Sequence, residues 1–303
     1  MFILPETFER RLAALEQLGY SIVPLSIAVD ALRRRRHLPP ASVVITIDDG
    51  WHSTWQTMAP ALARRKMPAT LYCDTAHLVE NKPIYHLIAL HLWKVASEDK
   101  KTRQAEQIFD RACDRALSSD ERFAATRELA ALVGKDITPY LASRAFNYMT
   151  PEQLREVAAL GIDIQLHTHN HTMHDMSPEA ILAEVRANRS ALADILGKSE
   201  NGFDHFCYPS GVCSEAAAAA LASIGIASAT TADIGLASRN SNLLLFPRII
   251  DGDQISDLKF EAEVSGFMHL VRVLMGRTEG ARHKRAVQVR RRNVETEPVK
   301  ERA

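Results

Sequence analysis

The chain has 303 residues, 46% of them hydrophobic and 24% charged, with Lys+Arg 37 balanced against Asp+Glu 37. That composition is ordinary for a packed globular chain and excludes a disordered or fibrous one, and zero net charge gives no global argument for nucleic acid as a partner. The N-terminus lacks the charged, apolar and cleavable regions of a secretory signal, and no long apolar run is present, so a cytoplasmic location is the expectation.

In chain order, residues 6–18 read as an amphipathic helix, followed by a break at Gly19-Tyr20, a short strand at 21–25 and a second helix ending in Arg33-Arg34-Arg35-Arg36. The Arg run suits a solvated helix C-terminus, where cations meet the negative end of the macrodipole. Strand patterns then recur at 42–48, 69–75, 161–167, 204–208, 226–230 and 243–249. Helical patterns separate them, among them 55–66, 151–160, 178–196 and 214–224. Alternating strand and helix predicts a parallel sheet with right-handed crossovers. Six or seven such units could close a barrel, with an open sheet as the alternative. Residues 78–146 break the alternation: 84–95 is apolar at helical spacing, and 98–133 is charged and Ala-rich with no strand signal. A helical insertion is expected there, either a packing elaboration or a cap beside the site, with His86 and His91 as structural residues. The chain closes with an apolar helical stretch at 266–275 and a basic tail at 276–303, the latter expected to be disordered.

Two segments carry chemistry. Thr46-Ile47-Asp48-Asp49-Gly50 ends one apolar strand pattern, and His167-Thr168-His169-Asn170-His171 ends another. Strand ends are where parallel α/β folds build their sites. Neighbouring strand residues point to opposite faces, so Asp48 and Asp49 converge only where the strand stops, and Gly50 permits a sharp turn there. His167 and His171 reach one ion if the loop turns between them. Two imidazoles and one carboxylate leave an open coordination position, which fits Zn²⁺ and also accepts Fe²⁺, Co²⁺ or Mn²⁺. Such a metal lowers the pKa of its water and polarises a carbonyl. The spare carboxylate is then free to act as general base. The bland alternatives are a plain Asp-Asp-Gly turn and an exposed His-rich loop formed by His167, His169, His171 and His174.

Taken together, the two segments resemble the motifs of the polysaccharide deacetylases, the NodB-homology or carbohydrate esterase 4 group, whose first motif is T-F-D-D-G and second H-[ST]-x-x-H. The stretch Met149-Thr150-Pro151-Glu152-Gln153-Leu154-Arg155-Glu156 is similar to the helix before their second motif. The resemblance covers roughly residues 5–75 and 146–265. It implies a distorted (β/α)7 barrel of the NodB-homology type, a single domain over 1–275 with the helical insertion. It implies that Asp48 is the general base, that Asp49, His167 and His171 hold the metal, and that Thr168 orients the loop. The implied cofactor is a divalent metal, with Zn²⁺ first and Co²⁺, Fe²⁺ or Mn²⁺ as alternatives. The implied reaction is hydrolysis of the acetamide of an N-acetylated sugar, with the oxyanion stabilised by the metal and a backbone N–H.

Three departures accompany it. The third motif, usually R-x-P-Y, becomes Phe206-Cys207-Tyr208-Pro209-Ser210-Gly211, with Cys207 in the place of the Arg that holds the base. Arg248, in Phe246-Pro247-Arg248-Ile249, is the candidate replacement. The late L-x-L-H-D motif has no counterpart after residue 205, and His269 and His283 lie in other contexts. The chain also starts beyond the family's Y-H-x-V-like strand, as a shortened gene model or a true variant would. These departures keep two further readings open: a catalytically weak glycan-binding relative, and an amidohydrolase acting on a non-sugar C–N amide bond.

A carbohydrate partner draws attention to Trp51, Trp55, Tyr148 and Tyr208, which are otherwise ordinary core or surface rings. The scattered Cys73, Cys113, Cys207 and Cys213 suit a reducing compartment, and the C-x₅-C pair is no zinc signature. The apolar stretch and basic tail at the C-terminus suggest peripheral contact with an anionic membrane, against a simple terminal helix.

Overall fold

The computed structural model describes residues 3–114 and 116–275. The expectation of disorder for the tail falls outside them. The chain forms two compact units, one of Ile22–Leu25 and Val44–Asp204, the other of Met1–Ser21, Ser26–Val43 and His205–Ala303.

The first unit contains three parallel strands, β1 (Ile45–Ile47), β2 (Ala69–Cys73) and β3 (Asp163–Leu166), hydrogen-bonded in that order. Thr46 lies opposite Thr70, and Leu71 opposite Ile164, which fixes the register. β2 is buried at every position, as a central parallel strand covered on both faces requires. Its helices start where the sequence offers caps. Thr150 and Gln153 form a capping box with Pro151 in the first turn of Pro151–Ala159, which buries Leu154 and Val157. Ser177 caps Pro178–Leu196, which stops at Gly197 in the left-handed conformation. The helical pattern at 55–66 is refined: it opens as a π-helical stretch, Thr54–Met58, and becomes α-helical only over Ala59–Arg64.

The expected insertion is helical and has a core of its own. Tyr85–Val95, Arg103–Cys113 and Ser119–Leu132 pack Ile88, Leu92, Ile108 and Leu129 against one another, all buried. Its two ends are clipped together by an antiparallel bridge between Pro83 and Asn147 and by the Ile84 N–H on the Phe146 carbonyl at 2.8 Å. The insertion therefore leaves and re-enters the unit at one point.

The second unit contains β4 (His205–Cys207), β5 (Ser228–Ile234) and β6 (Phe246–Arg248), again parallel and in that order. β5 runs past the expected 226–230 because its pairing with β6 shifts between Thr230 and Ile234. The buried Arg11 of helix Pro5–Gln17 donates to Asp251 at 2.9 Å and also bonds Asp257 and the Ile255 carbonyl, tying that helix to the chain after β6. Six parallel strands are thus described, three in each unit, the lower of the two counts expected.

Candidate metal and active site

Asp49, the second residue beyond β1, has φ +75, a left-handed conformation that costs a non-glycine residue on the order of 1–3 kcal/mol. The turn ends the strand's alternation at the point where two adjacent carboxylates need to converge. Gly50 follows at φ +106, and a Cβ there would lie 2.7 Å from Cys73 Sγ, so both the turn and the contact with the end of β2 require glycine. The Trp51 indole N–H donates to Asp49 Oδ2 at 2.8 Å and fixes the carboxylate.

His167 begins the loop after β3. Thr168 and His171 in that loop are also left-handed, at φ +63 and +50. Thr168 is fully buried, and its hydroxyl accepts the Thr172 N–H at 3.2 Å, closing the turn that brings His171 back. The result is that Nε2 of His167 and Nε2 of His171 each lie 3.1 Å from Asp49 Oδ1. The three ligating atoms are within 4.8 Å of one another.

Burial alone would raise the Asp49 pKa, but hydrogen bonds from His167 and His171, reinforced by their charge, hold the carboxyl well below the usual range. Two imidazole nitrogens and a carboxylate oxygen this close together are a set that could hold a cation. Its mixed N/O character fits Zn²⁺, Fe²⁺, Co²⁺ or Mn²⁺.

One side chain stitches this arrangement together. Asn188 is fully buried; its Oδ1 accepts the His167 N–H at 2.9 Å, and its Nδ2 donates to the Cys73 carbonyl and to Thr75 Oγ1, both at 3.1 Å. It locks the end of β2 to the end of β3. The other two histidines of the loop are not part of the cluster. His169 Nδ1 bonds Thr75 Oγ1 at 2.7 Å, and His174 is exposed beside Asp175 at 2.8 Å.

Asp48 is half-buried, and its carbonyl accepts the Gly50 N–H at 3.0 Å. Arg248 belongs to the other unit, where its Nε donates to the Thr231 carbonyl at 2.9 Å and its Nη2 lies 3.3 Å from Cys207 Sγ. Cys207, at the place of the third-motif Arg, and its candidate replacement are therefore in contact. Tyr208 is a core residue, buried and hydrogen-bonded to the Leu244 carbonyl at 2.9 Å. Trp55 Nε1 bonds Glu156 at 2.7 Å, whereas the Trp51 and Tyr148 rings pack against each other, tilted by 35° at 4.5 Å between centroids, beside Asp49.

Sequence reasoning did not single out Asn188, Asp74 or His77. Asn188 had a readable signal, being the polar member of the inward stripe Ile181, Val185, Asn188, Leu192. Asp74 had another, a carboxylate directly after the strand pattern Ala69-Thr70-Leu71-Tyr72-Cys73.

The polysaccharide deacetylase profile matches residues 35–229, a span that contains both motifs and the whole Asp49–His167–His171 cluster. The chain belongs to the polysaccharide deacetylase family. It is accordingly a hydrolase of carbon–nitrogen bonds other than peptide bonds. Solved structures share this deacetylase fold. The chain is 17% identical to a Streptococcus pyogenes deacetylase, PplD, solved in complex with acetate, at TM-score 0.59 over 86% of this chain and 87% of that one. It is 19% identical to IcaB from Ammonifex degensii, at TM-score 0.56 over 86% and 88%. It is 16% identical to the BpsB deacetylase domain of Bordetella bronchiseptica, at TM-score 0.52 over 82% and 84%. The comparison with curated proteins gave no match. The mixed α/β, parallel-stranded architecture that the resemblance implied is the one the fold displays.

Proposed function

We propose that the protein is a metal-dependent deacetylase that removes N-acetyl groups from an N-acetylated sugar in a polysaccharide, oligosaccharide or glycolipid. The observation that carries this reading is the convergence of Asp49, His167 and His171 next to Asp48, at the ends of β1 and β3, the two strands that flank β2, in a chain of this family. Asp49, His167 and His171 would hold a divalent cation, Zn²⁺ first, which when bound supplies an electrophile for the acetamide oxygen and acidifies water. Asp48 accepts the proton of the attacking water as general base. Trp51 holds the Asp49 carboxylate and Asn188 holds His167, so the ligands are oriented before substrate arrives. Arg248 is the candidate cation for the base on the sequence argument.

Acetate release from chitooligosaccharides, measured beside release from N-acetyl groups on non-sugar amides and hydrolysis of cyclic imides, tests the substrate class. Turnover of the sugars alone supports the proposal; turnover of the small amides or imides alone replaces it with the amidohydrolase reading.

A glycolipid substrate is in keeping with the C-terminal helix Phe267–Leu274. It exposes Phe267, Leu270 and Leu274 along one face, ahead of the Arg- and Lys-rich segment 277–292. Flotation with phosphatidylglycerol vesicles but not with phosphatidylcholine vesicles would support membrane contact; recovery from neither would remove it.

A further inference from the structure

We infer that His77, positioned by Asp74, is the proton donor to the departing amine. The inference rests on the proposed cleavage of an N-acetyl amide. β2 runs between the strand that ends in Asp49 and the strand that ends in His167, so the segment leaving β2 emerges between the metal ligands. Asp74 is the first residue of that segment, and its N–H donates to the Asp49 carbonyl at 3.2 Å. Its side chain is fully buried. Oδ1 takes His77 Nδ1 at 3.0 Å and the His77 N–H at 3.3 Å, while Oδ2 makes no hydrogen bond among the described residues. A buried carboxylate so placed demands a cationic partner, and His77 is the one it has.

Among the described residues no hydrogen bond reaches the other nitrogen of His77, Nε2, and the side chain is 31% exposed. The ring is held at a defined place relative to Asp49. It stacks on Tyr148 at 5.0 Å with 17° between the planes; Tyr148 packs on Trp51 at 4.5 Å, and Trp51 holds Asp49. The charged groups facing the imidazole are Asp74 and Glu80 on its own segment and Asp49 from the end of β1, all anionic. Burial on its own would lower the His77 pKa, but Asp74, with help from Glu80 and Asp49, raises it, which favours the imidazolium form. Tyr148 is pushed well above its usual range, by burial first and then by Asp74 and Asp49, and stays a neutral platform.

The chemistry needs such a donor. After water has added to the acetamide carbon, with its proton on Asp48, the C–N bond breaks and its electron pair goes to nitrogen. An unprotonated amine is too basic to depart, so nitrogen takes the proton from His77 Nε2 as the bond opens. The products are amine and acetic acid; neutral His77 and protonated Asp48 return to their starting states through solvent. Two other histidines of this unit lack a carboxylate on Nδ1: His169 Nδ1 bonds the Thr75 hydroxyl at 2.7 Å and His52 Nδ1 the Gln153 amide oxygen at 3.3 Å.

The test compares a poor leaving group with a good one. Wild type, His77→Gln and Asp74→Asn are assayed on a chitooligosaccharide and on an aryl acetate, whose phenolate departs without protonation. His77→Gln is expected to lower the ratio of amide to aryl-acetate rates by about 10²-fold or more, with metal content equal to wild type. Added imidazole should restore part of the amide rate to His77→Ala. In Asp74→Asn the His77 ring, followed by NMR, should titrate at lower pH than in wild type. An amide rate that survives His77→Gln, or equal losses on both substrates, overturns the inference. If wild type cleaves the aryl acetate but no N-acetyl sugar, the proposed function fails first and this role falls with it.

Discussion

Two regions of the same unit are built on opposite rules. The helical insertion buries apolar side chains such as Ile88, Leu92, Ile108 and Leu129 in a core of its own, and two of its helices begin at Thr102 and Ser118, which cap them with hydrogen bonds. The strand-end site places Asp49, Thr168 and His171 in left-handed backbone, and buries polar side chains including Thr168, His167, Asn188 and Asp74. The insertion stores stability in local contacts, whereas the site spends it on strained turns and desolvated polar groups that only a fixed ligand geometry justifies. Substitutions in the two regions should therefore separate stability from turnover.

The largest expected effect is on turnover. Asp48→Asn should lower kcat on an N-acetyl sugar by roughly 10²–10⁴-fold with bound metal retained; full activity in that variant would remove Asp48 as the base. On the other side of the comparison, Leu129→Ala in the insertion core should cost about 2–5 kcal/mol of unfolding free energy while kcat/KM of the folded enzyme holds. A matching fall in kcat/KM would show that the insertion shapes the site. Asn188→Ala sits between the two. It leaves a buried His167 N–H and the Cys73 carbonyl without their partner, a cost of roughly 1–3 kcal/mol, and it should weaken metal affinity as well. Chemical denaturation beside a metal titration checks both halves.

The smallest effect is a pH dependence. The folded-state pKa of His77 is raised above its unfolded value, so the pairing with Asp74 contributes fully below about pH 6.5 and is lost as pH rises through the folded value. Unfolding free energy should therefore lose a small increment across that window in wild type, and Asp74→Asn should not show it. A slope of the same size in both would assign it to other groups.

Much of this was legible in the sequence because the information is local. Asp48-Asp49-Gly50 and His167 with His171 stand directly after apolar strand patterns, and a site at strand ends follows from that. The insertion was legible from the loss of strand signal over 78–146. What stayed hidden depends on contacts between distant segments. Asn188 acts through the ends of two strands more than 100 residues away from it or close behind it, Cys73 and His167. The contact of Cys207 with Arg248 joins a motif position to a residue one strand beyond its neighbour. Left-handed backbone, as at Asp49, Thr168 and His171, is uncommon for any residue but glycine, so propensity alone would not have placed these turns.

Everything proposed for the site depends on Asp49, His167 and His171 binding a divalent cation. Metal per chain in purified protein, before and after reconstitution with Zn²⁺ or Co²⁺, tests it most directly when measured beside the His167→Ala/His171→Ala double variant. Wild type should carry about one metal and the double variant none. No metal in wild type even after reconstitution, or equal metal in both proteins, would contradict it and move the glycan-binding reading to first place.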